Sequence, residues 1–365
     1  MKAFWNRHRK LHIWLAADLV LLAAFFLTRG QRAWMNALAS HVTGPLRRRI
    51  GDLCYRTDVS VMEVLCGILA VFTAVYMISA VVLIVRGKGH RGRTAYAAVL
   101  GAICVALTVY VGFCFLWGVN YYTDSFQDKS GIRAEKVAVT DLNRVTAYFA
   151  GQLSAAAGKV PRSADGQFAV PRDRIFAEST RAYSAVERDY PFLQFPDRVP
   201  KQVHFSRIMS LLDFTGVYCP FTGESNLNVD SPASLLPATI AHELAHQRGI
   251  SSEQECNFLG VLASTTCGKS DYAYSGWLLG YIYLGNALCS ADRPAWKKIY
   301  ASLPKTVRAD LDANNAYWSQ FDNSGVKKVS NKVYDNFLKG YGERKGLQSY
   351  GTVVDMLVAY YKNKV

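Results

Sequence analysis

Three apolar stretches, Leu11–Leu27, Val61–Val85 and Thr94–Trp117, crowd into the first third of this 365-residue chain. A helix needs roughly 18 to 20 apolar residues to cross hydrocarbon, and the second and third stretches exceed that length. Such segments cannot all be buried in one water-soluble core, so three transmembrane helices are expected at about 11–27, 61–85 and 94–117. Half the residues are hydrophobic, 19% are charged and the mean hydropathy is +0.04, which excludes a disordered chain. The charge is lopsided. Residues 1–119 carry 14 Lys and Arg against 4 Asp and Glu, whereas residues 120–365 carry 28 against 24. The basic excess therefore flanks the apolar runs, where it orients spans; no nucleic-acid partner is expected.

Basic loops resist translocation, so the two densest clusters, the N-terminus (Lys2, Arg7, Arg9, Lys10) and the turn Arg86, Lys88, Arg91, Arg93, are expected in the cytoplasm. The first span then exits, the second returns and the third exits. Residues 1–119 thus form a membrane anchor and residues 120–365 a domain outside the cytoplasm. This arrangement carries Arg29, Arg32, Arg47, Arg48, Arg49 and Arg56 across with the 29–58 loop. In that loop Trp34, Leu38, Val42, Leu46 and Ile50 recur every four residues. The stripe fits either an interfacial helix with its arginines on phosphates or a loop helix packed on the outer domain. Ala37-Leu38-Ala39 resembles a signal-peptide cleavage site but follows the apolar run too distantly, so an uncleaved anchor is expected. Asp18 lies within the first span, where a lipid-exposed carboxylate is costly; it should face a partner. The other two spans offer only Glu63 near an end, too little for a transport path.

Beyond residue 120 the apolar residues recur at helical intervals, and helices are expected over Ile132–Gln152, Pro171–Tyr190, Pro232–Arg248, Ser252–Thr266, Tyr272–Ser290, Val307–Phe321 and Gly351–Tyr360. Gln202–Phe205 and Asn226–Val229 are β-prone pieces between turn signals at Pro200, Gly216, Pro220 and Gly223. The expected fold is mainly α: three transmembrane helices, then a mostly helical domain with a small β element. Of the four cysteines in that domain, Cys256 and Cys267 share one helix about 16 Å apart at 1.5 Å per residue, so any disulfide must use Cys219 or Cys289.

The chemistry centres on His242-Glu243-Leu244-Ala245-His246, an HExxH on a predicted helix. Histidines four residues apart project from one face and can reach one ion, while Glu243 points toward the place of a bound water. A hydrolytic zinc site needs a third protein ligand, and Glu253 and Glu255 follow closely. Ser252 and Glu255 fit a capping box, which gives Glu255 a structural duty and favours Glu253, with Glu255 as the alternative. Glu253 shares a helix face with Asn257, whose amide could support a ligating histidine. Cys256 is a soft-ligand alternative that fits the core better. Ser225–Val229 is expected as an edge strand to which a peptide adds by backbone pairing, with Glu224, Asn226 and Asn228 alternating along it. His204, Tyr218, Arg248 and Tyr350 carry donors suited to an oxyanion.

His242-Glu243-x-x-His246 followed by Glu253-x-x-x-Asn257 resembles the gluzincin metallopeptidases, whose later helix supplies a Glu ligand and, four residues on, an Asp or Asn partner. The integral-membrane CAAX-protease type and the ImmA/IrrE type show the same pairing. Nearly the whole chain resembles a bacterial membrane family catalogued as domain of unknown function 3810. The resemblance rests on the three spans, on Tyr218-Cys219-Pro220-Phe221-Thr222-Gly223-Glu224 and on Gly346-Leu347-Gln348-Ser349-Tyr350-Gly351. Together these imply a zincin-like domain in the bacterial cell membrane, one Zn2+ as cofactor, the lipid bilayer as partner and a peptide or protein as substrate. A second expectation is a zinc-binding sensor or binding module without turnover.

Overall fold

The computed structural model describes residues 7–341 and 350–365, with the backbone alone at Tyr350. The chain divides into two units, Met1–Arg56 with Ser60–Thr123 and Pro220–Gly223, and Thr57–Val59 with Asp124–Cys219 and Glu224–Val365.

In the first unit α1 (Arg9–Thr28) is followed by α2 (Arg32–Leu38) and α3 (Gly44–Cys54), which one π-helical turn at Ala39–Thr43 joins; α4 (Val61–Arg86) and α5 (Arg91–Leu116) complete it. Helices α1, α4 and α5 are long and apolar enough to cross a membrane. No residue of α4 is buried, as suits a helix solvated by hydrocarbon. Asp18 is buried in α1 and meets the partner its cost demands: Thr108 of α5 donates Oγ1–H to Asp18 Oδ2 at 2.9 Å, and Trp14 donates Nε1–H to Thr108 Oγ1 at 2.8 Å. The apolar stripe of the 29–58 loop is helical, with Trp34, Val42 and Leu46 exposed. Its arginines do not all face outward. Arg47 is buried with its guanidinium 5.0 Å from the centre of the Trp117 ring, and Arg29 donates to Tyr122 Oη at 2.8 Å, so neither is a simple phosphate anchor.

The second unit opens with α6 (Phe126–Ser130), α7 (Val139–Ala157), α8 (Arg172–Glu178) and α9 (Val186–Asp189). Strand β1 (Lys201–Gln202), helix α10 (Ser206–Leu211) and the hairpin β2 (Gly216–Cys219) and β3 (Glu224–Leu227) follow. The chain then forms α11 (Leu236–Gln247), α12 (Glu253–Thr266), α13 (Ser270–Ala291), α14 (Arg293–Ser302), α15 (Lys305–Ser319), α16 (Gly325–Gly340) and α17 (Tyr350–Tyr361). Phe149 and Leu153 of α7, Ile240 and Leu244 of α11, Phe258 and Leu262 of α12, Leu278 and Leu284 of α13 and Leu357 of α17 lie in one buried cluster. This core holds α11 and α12 side by side.

Several expectations shift. The helix expected from Ile132 starts at Val139, and the one expected over Pro171–Tyr190 breaks after Glu178 into a 3-10 turn, where Ser179 Oγ donates to the Phe176 carbonyl at 2.6 Å. Helices α14 and α16 were not expected; each begins at a side-chain cap, Asp292 accepting from Ala295 N at 3.0 Å and Ser324 from Lys327 N at 3.4 Å. The sheet order is β1-β3-β2, with β3 parallel to β1 (Lys201 opposite Asn226) and antiparallel to β2 (Tyr218 opposite Ser225). The expected edge strand over Ser225–Val229 is therefore corrected: β3 is central and wholly buried, because the unforeseen strand β2 folds back on it through the Pro220–Gly223 turn. A peptide cannot add to it. No disulfide forms among the described residues.

Replacing Thr108 with Val keeps the shape of the α1–α5 contact but strips Asp18 and Trp14 of their shared hydroxyl. Thermal unfolding in detergent micelles should register a loss of about 1–3 kcal/mol; an unchanged midpoint would show that contact to be idle.

Candidate metal centre

The centre is built where α11 stops. Gly249 adopts φ +88, its N–H bonds the His246 carbonyl at 2.9 Å, and Ile250 N–H bonds the Ala245 carbonyl at 3.3 Å. This pair of bonds is a Schellman ending, which needs the left-handed conformation that glycine adopts without a Cβ penalty. The chain reverses within a few residues, and α12 begins at Glu253 directly beside the helix it has just left.

The reversal brings Glu253 onto both histidines. Glu253 Oε2 lies 3.2 Å from His242 Nε2 and Oε1 lies 3.5 Å from His246 Nε2, and one ligand atom from each residue falls within 4.8 Å of the others. Donors bonded to one zinc at about 2.0–2.1 Å in a tetrahedron stand roughly 3.3 Å apart, so these spacings suit a single ion. The imidazoles meet edge to face, with centroids 4.9 Å apart. His246 is oriented from behind: its Nδ1 faces the Ile250 carbonyl at 2.8 Å, which leaves Nε2 to point at Glu253. Cys256 Sγ sits 3.3 Å from the same Nδ1 and 3.4 Å from the same carbonyl, packed behind the ring, and burial pushes its thiol up to about 12. Burial alone would raise the Glu253 carboxyl, but the two histidines outweigh it and hold it well below its usual range. Burial likewise opposes protonation of His246, and Cys256 and Glu253 override it, placing its pKa well above that of an ordinary imidazole. Two imidazoles and a carboxylate of this polarity form a donor set that fits a divalent cation such as zinc.

Glu243 is on the same helix and 4% exposed. Burial raises its pKa, partly offset by His242 and His246, and the Tyr218 backbone N–H bonds its carboxylate. The carboxylate lies flat on β2, where a Cβ on Gly216 would come within 2.5 Å of Oε1; only glycine leaves it that room. Its Oε2 is buried and has no hydrogen-bond partner among the described residues. A buried acceptor without a protein donor beside a triad of ligand atoms is the feature that a water or ion would complete.

Glu255 does have a structural duty, but not the expected one. Ser252 makes no side-chain cap, so the capping box is absent. Glu255 instead accepts from Phe126 N at 2.9 Å and Gln127 N at 3.1 Å, satisfying free N–H groups at the start of α6, 129 and 128 residues away. Asn257 makes no hydrogen bond to either ring among the described residues; the Ile250 carbonyl does the supporting work expected of it.

The oxyanion candidates separate as well. Arg248 is corrected: its guanidinium, 1% exposed, has all five N–H groups engaged. They reach the Leu193 and Leu244 carbonyls, both oxygens of Asp197, and Glu187, while the cation lies 3.7 Å from the centre of the Tyr183 ring. It anchors the turn and has no donor left for a substrate. Asn226 is buried and bonds the Glu224 and Val217 carbonyls with its amide, and Glu224 is buried in the same sheet. Neither faces a substrate. His204 is exposed beside Phe205. Tyr218 contributes its backbone N–H to Glu243. The Tyr350 side chain and residues 342–349, with most of the Gly346–Gly351 motif, lie outside the described residues. No motif points to Tyr334, whose hydroxyl donates to Glu253 Oε1 at 2.5 Å from helix α16.

Metal analysis of the purified protein should find the site emptied, with affinity reduced at least about tenfold, in Glu253→Ala. Glu255→Ala should keep its metal and lose about 1–3 kcal/mol of stability; metal lost in Glu255→Ala at unchanged stability would reverse the assignment. Arg248→Ala strands Asp197 and Glu187 and should cost about 3–5 kcal/mol in chemical denaturation, whereas a substitution within 0.5 kcal/mol (roughly) of the parent would show the anchor to be dispensable.

No curated protein and no solved structure matches the chain. The family model described as protein of unknown function (DUF3810) matches residues 46–358, which take in α4, α5, the sheet and the whole candidate centre. The chain belongs to the DUF3810 family.

Proposed function

We propose that this protein is a membrane-anchored zinc metallopeptidase, gluzincin-like in its ligand set, that hydrolyses peptide bonds. The observation that carries the reading is the convergence of His242, His246 and Glu253 next to Glu243 Oε2, which is buried and has no hydrogen-bond partner among the described residues. His242 Nε2, His246 Nε2 and a Glu253 oxygen would hold the ion. Zinc bound there supplies Lewis acidity, acidifying water and polarising a scissile carbonyl.

The protein's own part is proton transfer. Glu243 Oε2 takes a proton from the water as its oxygen bonds to the carbonyl carbon, and returns it to the nitrogen as the C–N bond breaks, so the carboxylate is regenerated. The Tyr218 N–H and the floor at Gly216 keep that carboxylate turned, and burial keeps it basic enough to act. Helices α1, α4 and α5 tie the catalytic unit to the bilayer, and the Lys and Arg clusters at the N-terminus and at Arg86–Arg93 favour its exposure outside the cytoplasm of a bacterial cell.

Glu243→Gln preserves the shape of the centre and removes the base. It should retain one zinc per chain and lose at least about a hundredfold in cleavage of a peptide library. Full turnover in that variant would remove Glu243 from the chemistry, and zinc without cleavage in the parent protein would favour a binding or sensing module.

A further inference from the structure

The turn Pro220–Gly223 is built into the first unit, whereas β2 and β3, the strands it joins, are built into the second. Within the first unit the turn is pressed on α3 and α5. Gly223 adopts φ +67, and a Cβ on it would come within 2.6 Å of the Arg47 carbonyl oxygen and 2.9 Å of the Gly51 Cα and N. A Cβ on Gly51 would in turn lie 3.3 Å from the Gly223 carbonyl oxygen. Helix α3 and the turn thus meet backbone to backbone, where no change of rotamer can relieve pressure between them. Phe221 lies against α5, since a Cβ on Gly112 would come within 3.2 Å of its ring, and Thr222 is 1% exposed.

Within the second unit the two strands reach the proposed base. Tyr218, whose N–H bonds the Glu243 carboxylate, stands two residues before the turn; Ser225, whose Oγ donates to the Glu243 carbonyl at 3.1 Å, stands two residues after it. These two face each other across the β2–β3 pair, whose register runs from Cys219 opposite Glu224 to Gly216 opposite Leu227. Strands bonded along that length shift as one piece. Gly216 leaves no slack at the far end, because the Glu243 side chain already fills the place of a Cβ there. A catalytic base has to be held within about 0.5 Å of its productive place, so even a small displacement of the turn arrives at the groups that aim Glu243. None of these contacts involves His242, His246 or Glu253.

We propose that the Pro220–Gly223 turn is the positioning element of Glu243, with Phe221 and Gly223 as its positioning residues, and that its seat on α3 and α5 makes the membrane-spanning unit a part of the centre. The proposal rests on the metallopeptidase reading above. It adds the means by which the placement of α3 and α5 regulates proton transfer while the metal stays bound.

The test uses the full-length, zinc-loaded protein in nanodiscs and reads zinc content, peptide cleavage and hydrogen–deuterium exchange at single amides. Gly51→Val presses on the Gly223 carbonyl, and because Val is a better helix former than Gly the variant should fold. Its Tyr218 amide should exchange at least about fivefold faster, while the Ala238 amide, bonded to Ser275 at the other end of α11, stays within about twofold of the parent. Its kcat should fall at least about tenfold with KM held within about threefold and one zinc still bound per chain. Gly101→Val crowds Tyr76 Oη of α4 instead, about 16 Å along α5 from Gly112 at 1.5 Å per residue, and should leave Tyr218 exchange and kcat as they were. Unchanged Tyr218 exchange in Gly51→Val overturns the proposal. An equal rise at Ala238, or the same rise in Gly101→Val, marks a general loosening and overturns it too, as does zinc lost in step with kcat. Should Gly51→Val fail to fold, Phe221→Ala frees the turn from α5 at a residue 39% exposed, and the same outcomes decide. If the zinc-loaded parent cuts no peptide, the peptidase reading fails on its own, and exchange at Tyr218 still decides whether the turn positions Glu243.

Discussion

The turn at Gly249 is the constraint on which the candidate centre depends. Two helices that met at a wider angle, or through a longer loop, would leave the histidines of α11 and the first residue of α12 on separate surfaces. The left-handed glycine sets the reversal and the buried Arg248 locks it, since a guanidinium with every N–H engaged by Asp197, Glu187 and two carbonyls cannot shift without leaving carboxylates unpaired in the interior. Further bonds hold α11 along its length. Tyr183 Oη donates to the Ala241 carbonyl at 2.8 Å, Ser275 Oγ accepts from Ala238 N at 3.0 Å, and Ser225 Oγ donates to the Glu243 carbonyl at 3.1 Å. The result is a rigid platform, which is what a site that positions ligand atoms to a few tenths of an ångström requires.

What the sequence made legible follows how far each interaction reaches along the chain. The three long apolar helices and the HExxH helix are local patterns, and both are present where the residues put them. The capping box with Ser252 that favours Glu253 over Glu255 is absent; Glu255 is held instead by the start of α6, a contact spanning more than a hundred residues that no spacing rule could reveal. The same limit explains Arg248. Next to an HExxH it looks like a substrate donor; only the fold shows Asp197 and Glu187 closing around it. Strand β3 lies at the centre rather than at an edge because of β2, whose four residues between the turn signals Gly216 and Pro220 are too few to carry a strand pattern of their own.

Two economies recur in the structure. Buried charge is met by a specific partner rather than tolerated, both at Asp18, which Thr108 serves, and at Arg248. Backbone atoms, moreover, do much of the aiming at the centre: the Ile250 carbonyl turns His246 and the Tyr218 N–H turns Glu243. Such groups are fixed by the fold itself and lose no side-chain entropy when a ligand arrives.

The short passage between α11 and α12 has a consequence for how the molecule assembles. His242, His246 and Glu253 all fall within a dozen consecutive residues, so a cation gathering them closes a very small ring of chain. Little entropy is lost in closing it. An ion could therefore be captured by this stretch while distant segments are still unformed, acting as a seed around which α7, α13 and the sheet later condense.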